Sequence, residues 1–202
     1  MFLSSVCANK LIRWVHACLL IGILGACDQA ALQFNNTDIT GASFGQDFSL
    51  LDPDGKTRTL ADFRGKAVIV FFGFTQCPDV CPTALSRAVE VRSRLGEDGK
   101  RLQVIFVSVD PERDTPALLK EYTAAFDADF LGLYTSVEDT RKVAEAFRVF
   151  YRKVPTGDSY TMDHTATSYV YDPEGRLRLA VSHSSSAESV ADDIRKLLQP
   201  RS

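Results

Sequence analysis

The segment KAVIVFFGFTQCPDVCPTAL, residues 66–85, decides how the chain folds. From Ala67 to Phe74 every side chain but glycine is apolar, and β-branched and aromatic residues dominate. Such a run, without polar alternation, suits a strand buried on both faces, and a strand of that kind needs helices above and below it. Beyond Pro82, Leu85, Val89, Arg92 and Leu95 recur at helical spacing until Gly96 and Gly99. A second apolar run follows, Leu102 to Val109. Strand, crossover helix and strand form the unit of a parallel sheet.

The reading extends outward from that unit. Upstream, Phe48-Ser49-Leu50-Leu51 runs into Asp52-Pro53-Asp54-Gly55, where proline presets φ and glycine admits a positive one, and Thr57 to Leu60 returns as a short strand. Downstream, Thr115-Pro116 reads as a cap and first residue of a helix with Leu118, Leu119, Tyr122 and Phe126 on its apolar side. A strand near 131–134 and a helix over about 138–147 come next. Phe150 to Met162 reads as an irregular or hairpin-like insertion. Ser168–Tyr171 and Leu177–Val181 flank Asp172-Pro173-Glu174-Gly175 as an antiparallel hairpin. Ser185-Ser186-Ala187-Glu188 fits a capping box for a last helix ending near Gln199. This order predicts an α/β fold over residues 44–202: a thioredoxin-like three-layer α/β/α sandwich. It carries an N-terminal strand-hairpin extension and an insertion before the last β-hairpin.

The chain has 202 residues, and residues 1–26 read as a leader rather than part of the fold. Lys10 and Arg13 precede an apolar run from Trp14 to Ala26, shorter than the roughly 20 residues a spanning helix needs. Leu24-Gly25-Ala26-Cys27 resembles a bacterial lipoprotein box, which implies a lipid on Cys27 and cleavage before it; an uncleaved anchor helix is the alternative. Asp28 resembles an inner-membrane retention signal, so the domain is expected to face the periplasm from a lipid anchor. Residues 27–43 read as a flexible tether. Loss of the leader's two cations takes the net charge from −3 to −5, which argues against a nucleic-acid partner.

Cys7 and Cys18 leave with the leader, so Cys77 and Cys81 are the only cysteines of the folded part besides the lipid candidate Cys27. In an oxidising compartment such a pair is a disulfide, a redox couple or a metal site. A bridge across so short a loop stabilises little. The pair lies where a buried strand meets a helix, the place where open α/β sheets build sites and where a helix N-terminus favours the thiolate. Three residues separate the cysteines, where thioredoxins usually have two. In a helix an i, i+4 pair projects from one face, although Pro82 favours a helix start at Cys81. Asp163-His164-Thr165-Ala166 stands where thioredoxins place a cis-proline, so His164 is expected to face the cysteine loop. Two thiolates and an imidazole favour copper over zinc, which would seek a fourth ligand.

GFTQCPDVCPTAL at 73–85, VDPERDTP at 109–116 and Asp163-His164 before Asp172-Pro173 resemble the SCO/SenC family across about residues 44–199. The resemblance implies a copper-binding assembly factor with Cys77, Cys81 and His164 as ligands to Cu(I), Cu(II) or both. It implies cytochrome c oxidase subunit II, or another extracytoplasmic copper acceptor, as partner. Family members deliver copper, reduce the acceptor's cysteines, or do both, so an extracytoplasmic thiol-disulfide oxidoreductase acting through Cys77 and Cys81 is the alternative function. A thiol peroxidase fits poorly, because Thr75 stands two residues before Cys77 rather than three. Asp79 reads either as a tuner of the thiols, a partner contact or a helix cap, and Asp163 either as an acceptor orienting His164 or as a turn residue. His183 reads as a surface histidine beside the final helix. The 110–116 segment reads as a shaped loop flanking the site, with docking as the lesser reading.

Overall fold

The computed structural model describes residues 32–199. Ala67–Gly73 forms β4, buried at all seven residues, and it pairs in parallel with β5 (Leu102–Ser108), equally buried. Helix α1 (Val80–Leu95) makes the crossover between them. α2 (Pro116–Ala124) leads to β6 (Leu131–Leu133), which adds to β5 in parallel. On the other side of β4, β9 (Ser168–Tyr171) and β10 (Leu177–Val181) pair antiparallel, and β1 (Thr37–Asp38) closes that edge. The six strands run in the order β1-β10-β9-β4-β5-β6.

Right-handed crossovers place α1 and α2 on one face. Helix α4 (Ala187–Leu198) joins them there, where Ile69, Val170 and Val181 of the sheet meet Ala84, Ala88 and Val91 of α1 and Val190 of α4. Phe106 of β5 touches Tyr122 of α2 on the same side, with ring centroids 5.4 Å apart. The alternate side chain, Phe72, points to the opposite face and meets Phe147 at 5.0 Å, at the end of α3 (Val137–Ala146). The continuous apolar run is therefore used on both sides, as a doubly covered strand requires. Leu50–Leu51 (β2) and Thr57–Arg58 (β3) form the expected small hairpin.

Three expectations need correction. The expected tether does not extend to residue 43, because the chain is packed from Phe34 and makes a sheet strand at 37–38. The carboxylate of Asp193, fully buried on α4, accepts the backbone N–H groups of Asn35 and Asn36 at 2.9 Å and both their side-chain amides. A polar segment is thus ordered by hydrogen bonds to a distant buried anion rather than by apolar periodicity. Of the two readings of the insertion the hairpin holds: β7 (Tyr151–Thr156) and β8 (Ser159–His164) pair in unbroken register around the turn Gly157-Asp158. Gly157 there has a positive φ of 60°, as tight hairpin turns demand. The last helix is capped by Ser186, whose hydroxyl accepts from Ser189, one residue beyond the expected Ser185 box. Helix α1 starts at Val80 rather than Cys81; Pro82 then occupies the first turn, where its missing N–H has no intrahelical partner to lose.

The leader, the lipoprotein box, Cys27 and the first part of the tether lie outside the described residues. Among the described residues no helix is long and apolar enough to cross a membrane.

Asp193→Ala should cost about 1–3 kcal/mol in urea unfolding, since it removes the buried charge to which four part-buried donors of Asn35 and Asn36 bond. Hydrogen exchange should quicken at Asn35, Asn36 and β1 first. Unchanged protection at those amides would show that the N-terminal segment is held by something else.

Candidate metal centre

β4 ends at Gly73, and the chain turns outward at the carboxyl end of the sheet. The Cys77 N–H donates to the Phe74 carbonyl at 3.2 Å, closing the turn. Asp114, 1 % exposed in the loop after β5, anchors the turn's start. Its carboxylate accepts the Thr75 hydroxyl and the Ser108 hydroxyl, each at 2.6 Å, and the Thr75 N–H at 3.2 Å. Burial raises the Asp114 pKa against the effect of these bonds. Asp79 is the residue before α1; its side chain caps nothing and instead accepts from the Thr83 hydroxyl at 3.3 Å. In the first turn of α1, the Cys81 N–H donates to the Cys77 sulfur at 3.4 Å. Cys81 is buried, Cys77 half-buried, and both are free thiols.

His164 is the last residue of β8, 83 positions from Cys81 in sequence. Its Nδ1 lies 3.1 Å from the Thr165 carbonyl oxygen, and its Nε2 lies 3.6 Å from Cys81 Sγ. A carbonyl can only accept, so Nδ1 carries the proton and Nε2 presents its lone pair to the sulfurs. The rings of Phe71 and Phe74 meet the imidazole edge-on at 6.0 and 5.8 Å and shield its inner side. No cis peptide bond occurs among the described residues.

The ligand atoms of Cys77, Cys81 and His164 all lie within 4.8 Å of one another. Two sulfurs on one ion at about 2.3 Å each are separated by at most about 4.6 Å, so a metal could be gripped with little movement. Two thiols and one imidazole are a soft, nitrogen-tolerant set, which fits copper.

The two thiols are electrostatically unlike. Cys77 is held far below an ordinary thiol, at about 3, chiefly because Cys81 donates its S–H to the Cys77 sulfur. Burial opposes this, while the backbone N–H groups of Asp79 and Cys81 add to it. Cys81 is pushed up by the same bond and by burial. The pair therefore holds one proton, on the inner sulfur, and presents a thiolate at the outer one.

Asp163 does not hold the imidazole. Its exposed carboxylate pairs with Arg152 across the hairpin at 2.7 Å, leaving the Thr165 carbonyl as the orienting group. Asp79 reaches the site through its backbone N–H. His183 lies beside the α4 cap, and its carbonyl accepts from Arg87. Gly73 went unremarked in the sequence, although a lone glycine in an apolar strand marks a close approach. A Cβ at Gly73 would stand 2.6 Å from Cys81 Sγ and 2.7 Å from the Phe106 ring. The missing side chain is the space in which the inner sulfur sits.

Gly73→Ala should destabilise the protein by roughly 1–3 kcal/mol and displace the Cys81 sulfur; near-wild-type stability with unchanged thiol reactivity would contradict the packing. The Cys77 thiolate is favoured by folding, so its contribution is complete above the ordinary thiol pKa of 9.0 and is lost as pH falls toward about 3. At pH 6 iodoacetamide should modify Cys77 and spare Cys81, and thiolate absorbance should persist well into acid. Equal labelling of both would show that the proton is not confined to Cys81.

The SCO1/SenC family profile matches residues 36–199. The protein SCO2 homolog, mitochondrial, of Bos taurus is 41% identical over 160 residues, covering 77% of this chain and 60% of its own length. The structure of Bradyrhizobium japonicum ScoI with copper bound is 42% identical with a TM-score of 0.70, over 77% of this chain and 99% of that one. Apo Sco1 from Thermus thermophilus, also 42% identical, superposes with a TM-score of 0.73 over 83% of this chain and 99% of that one. The chain spans about 60% of the length of the mammalian relatives it matches. With its thioredoxin-like fold and its Cys-Cys-His cluster, the chain belongs to the SCO1/SenC family.

Proposed function

We propose that this domain takes up one copper ion through Cys77, Cys81 and His164 and passes it to an extracytoplasmic acceptor, the copper centre of cytochrome c oxidase subunit II. The observation that carries this reading is the convergence of three ligand atoms within 4.8 Å, two of them on half-buried residues and one on a buried residue. When bound, copper supplies the cargo; the chain's own residues grip it and let it go. Cys81 is the fixed inner ligand, packed against Gly73. Cys77 and His164 face the open side, where an acceptor's thiols can replace them in turn. Copper in a similar protein of Bradyrhizobium japonicum supports the choice of metal. The lipoprotein box at Cys27 and the apolar leader 1–26 support a lipid-anchored position on the bacterial inner membrane, with the domain in the periplasm.

The asymmetry of the thiols favours a second activity at the same place. The Cys77 thiolate attacks one sulfur of an acceptor disulfide, and the other acceptor sulfur leaves as a thiolate. Cys81 then loses its proton to that leaving group and attacks the Cys77 sulfur. The acceptor departs as a dithiol and the domain as the Cys77–Cys81 disulfide. His164 takes no part in either bond exchange.

Cu(I) titration of the reduced full chain against a competing chelator separates the readings. One tightly held copper is expected, weakened at least about tenfold in both Cys77→Ser and His164→Ala, the usual scale for losing a ligand or its support. Absence of tight binding, with ready disulfide exchange that survives His164→Ala, would overturn copper delivery in favour of the oxidoreductase.

A further inference from the structure

His164 reaches the site on a hairpin that pairs with no strand of the main sheet. At its stem the hairpin is tied only to itself, Thr165 N–H to the Phe150 carbonyl at 2.9 Å and Phe150 N–H to the Thr165 hydroxyl at 3.0 Å. Its side chains are mostly exposed or half-buried, Met162 excepted. Met162 lies in the core and Tyr151 packs against it, while the polar attachment to the body is concentrated in the loop that follows β5. Arg113 Nη1 donates to the Tyr160 carbonyl at 2.7 Å, and the guanidinium lies 3.7 Å over the Tyr160 ring. Arg113 Nε donates to Asp110 Oδ2 at 2.5 Å, and the Tyr160 hydroxyl donates to Asp110 Oδ1 at 2.8 Å. Lys153 adds an ion pair to Glu112.

The same guanidinium reaches the other arm of the site. Arg113 Nη1 donates to Gln76 Oε1 at 3.1 Å, next to Cys77, and the group lies 5.9 Å from the ring of Phe74, which flanks His164. The contact with Asp110 is well withdrawn from water, the two side chains being 16% and 1% exposed, so it is not one of the weak surface pairs. A planar, forked cation that stacks and donates in fixed directions is what such a junction needs; a lysine ammonium has no plane to lay on the Tyr160 ring and no rigid fork to span both arms.

We propose that Arg113 and Tyr160 are positioning residues of the metal centre: they latch the β7–β8 hairpin to the cysteine loop and so set how far His164 stands from the two sulfurs. Its metal arm rests on the copper reading of the site, but its structural arm does not. The latch acts through His164 and touches no ligand atom itself.

The test compares Arg113→Lys with wild type in the full chain, each with and without His164→Ala. In the metal-free protein, the His164 ring nitrogen resonances should shift and the heteronuclear NOE of residues 151–164 should fall, while Ile194 and Leu197 in α4 keep theirs. Cu(I) affinity should drop about tenfold in Arg113→Lys and not at all when His164 is already alanine, as expected for a group that supports a ligand. An equal drop in both backgrounds, or a folded variant whose His164 signals and hairpin NOE stay unchanged, overturns the proposal. If wild type binds no copper yet the variant loosens the hairpin, the latch stands and the copper reading falls. Should Arg113→Lys lose the fold, Tyr160→Phe makes the same comparison, because it removes only the hydroxyl that bonds Asp110 at 2.8 Å and Glu112 at 3.4 Å.

Discussion

β4 is buried along its entire length between β5 and β9, and this constraint organises the molecule. A strand with no exposed side chain can bury about 25 cal/mol per Å² of apolar surface only if both faces are covered. Helices α1, α2 and α4 on one side and α3 on the other meet that need. The strand must also end somewhere, and its end fixes where α1 starts, hence where the cysteines lie. Gly73 is the last residue of the strand and has Cys81 Sγ against it. The core thus reaches up to the inner sulfur without a polar layer in between.

This arrangement explains the division of labour between the thiols. Cys81 donates its S–H to Cys77 and sits at the top of the apolar core, where water cannot stabilise a charge, so it keeps its proton. Cys77, one helical turn away, receives the S–H of Cys81 and backbone donors from the start of α1. A helix N-terminus supplies unpaired N–H groups by construction. Burial on one side and donors on the other separate two chemically identical side chains.

Much of this was legible in the residues. The apolar runs at 67–74 and 102–109 gave two central strands, and Thr115-Pro116 marked the start of α2 within the residue. What escaped has physical reasons. β1 and the segment from Phe34 carry no periodic apolar signal, because their order depends on Asp193, more than 150 residues away. The hairpin β7–β8 has the sequence of a solvated ribbon, with Arg152, Lys153 and Pro155 in its first strand, so the residues leave a hairpin and an irregular loop both open. The group that orients His164 is a backbone carbonyl, which no side-chain pattern can reveal, and the nearby Asp163 was a more visible but wrong-facing acceptor. Gly73 was readable, since strands rarely tolerate glycine without a neighbour that needs the room.

The 83 positions that separate Cys81 from His164 also order events in time. A chain emerging N-terminus first delivers both cysteines, the first two central strands and α1 well before the hairpin. Closing so long a loop is slow compared with forming a local hairpin or helix. During that interval the thiols stand without the imidazole, and a soft ion meeting them finds two donors rather than three. The complete donor set comes into being only when the fold is nearly finished, so full-strength capture of metal is reserved for molecules that have already folded.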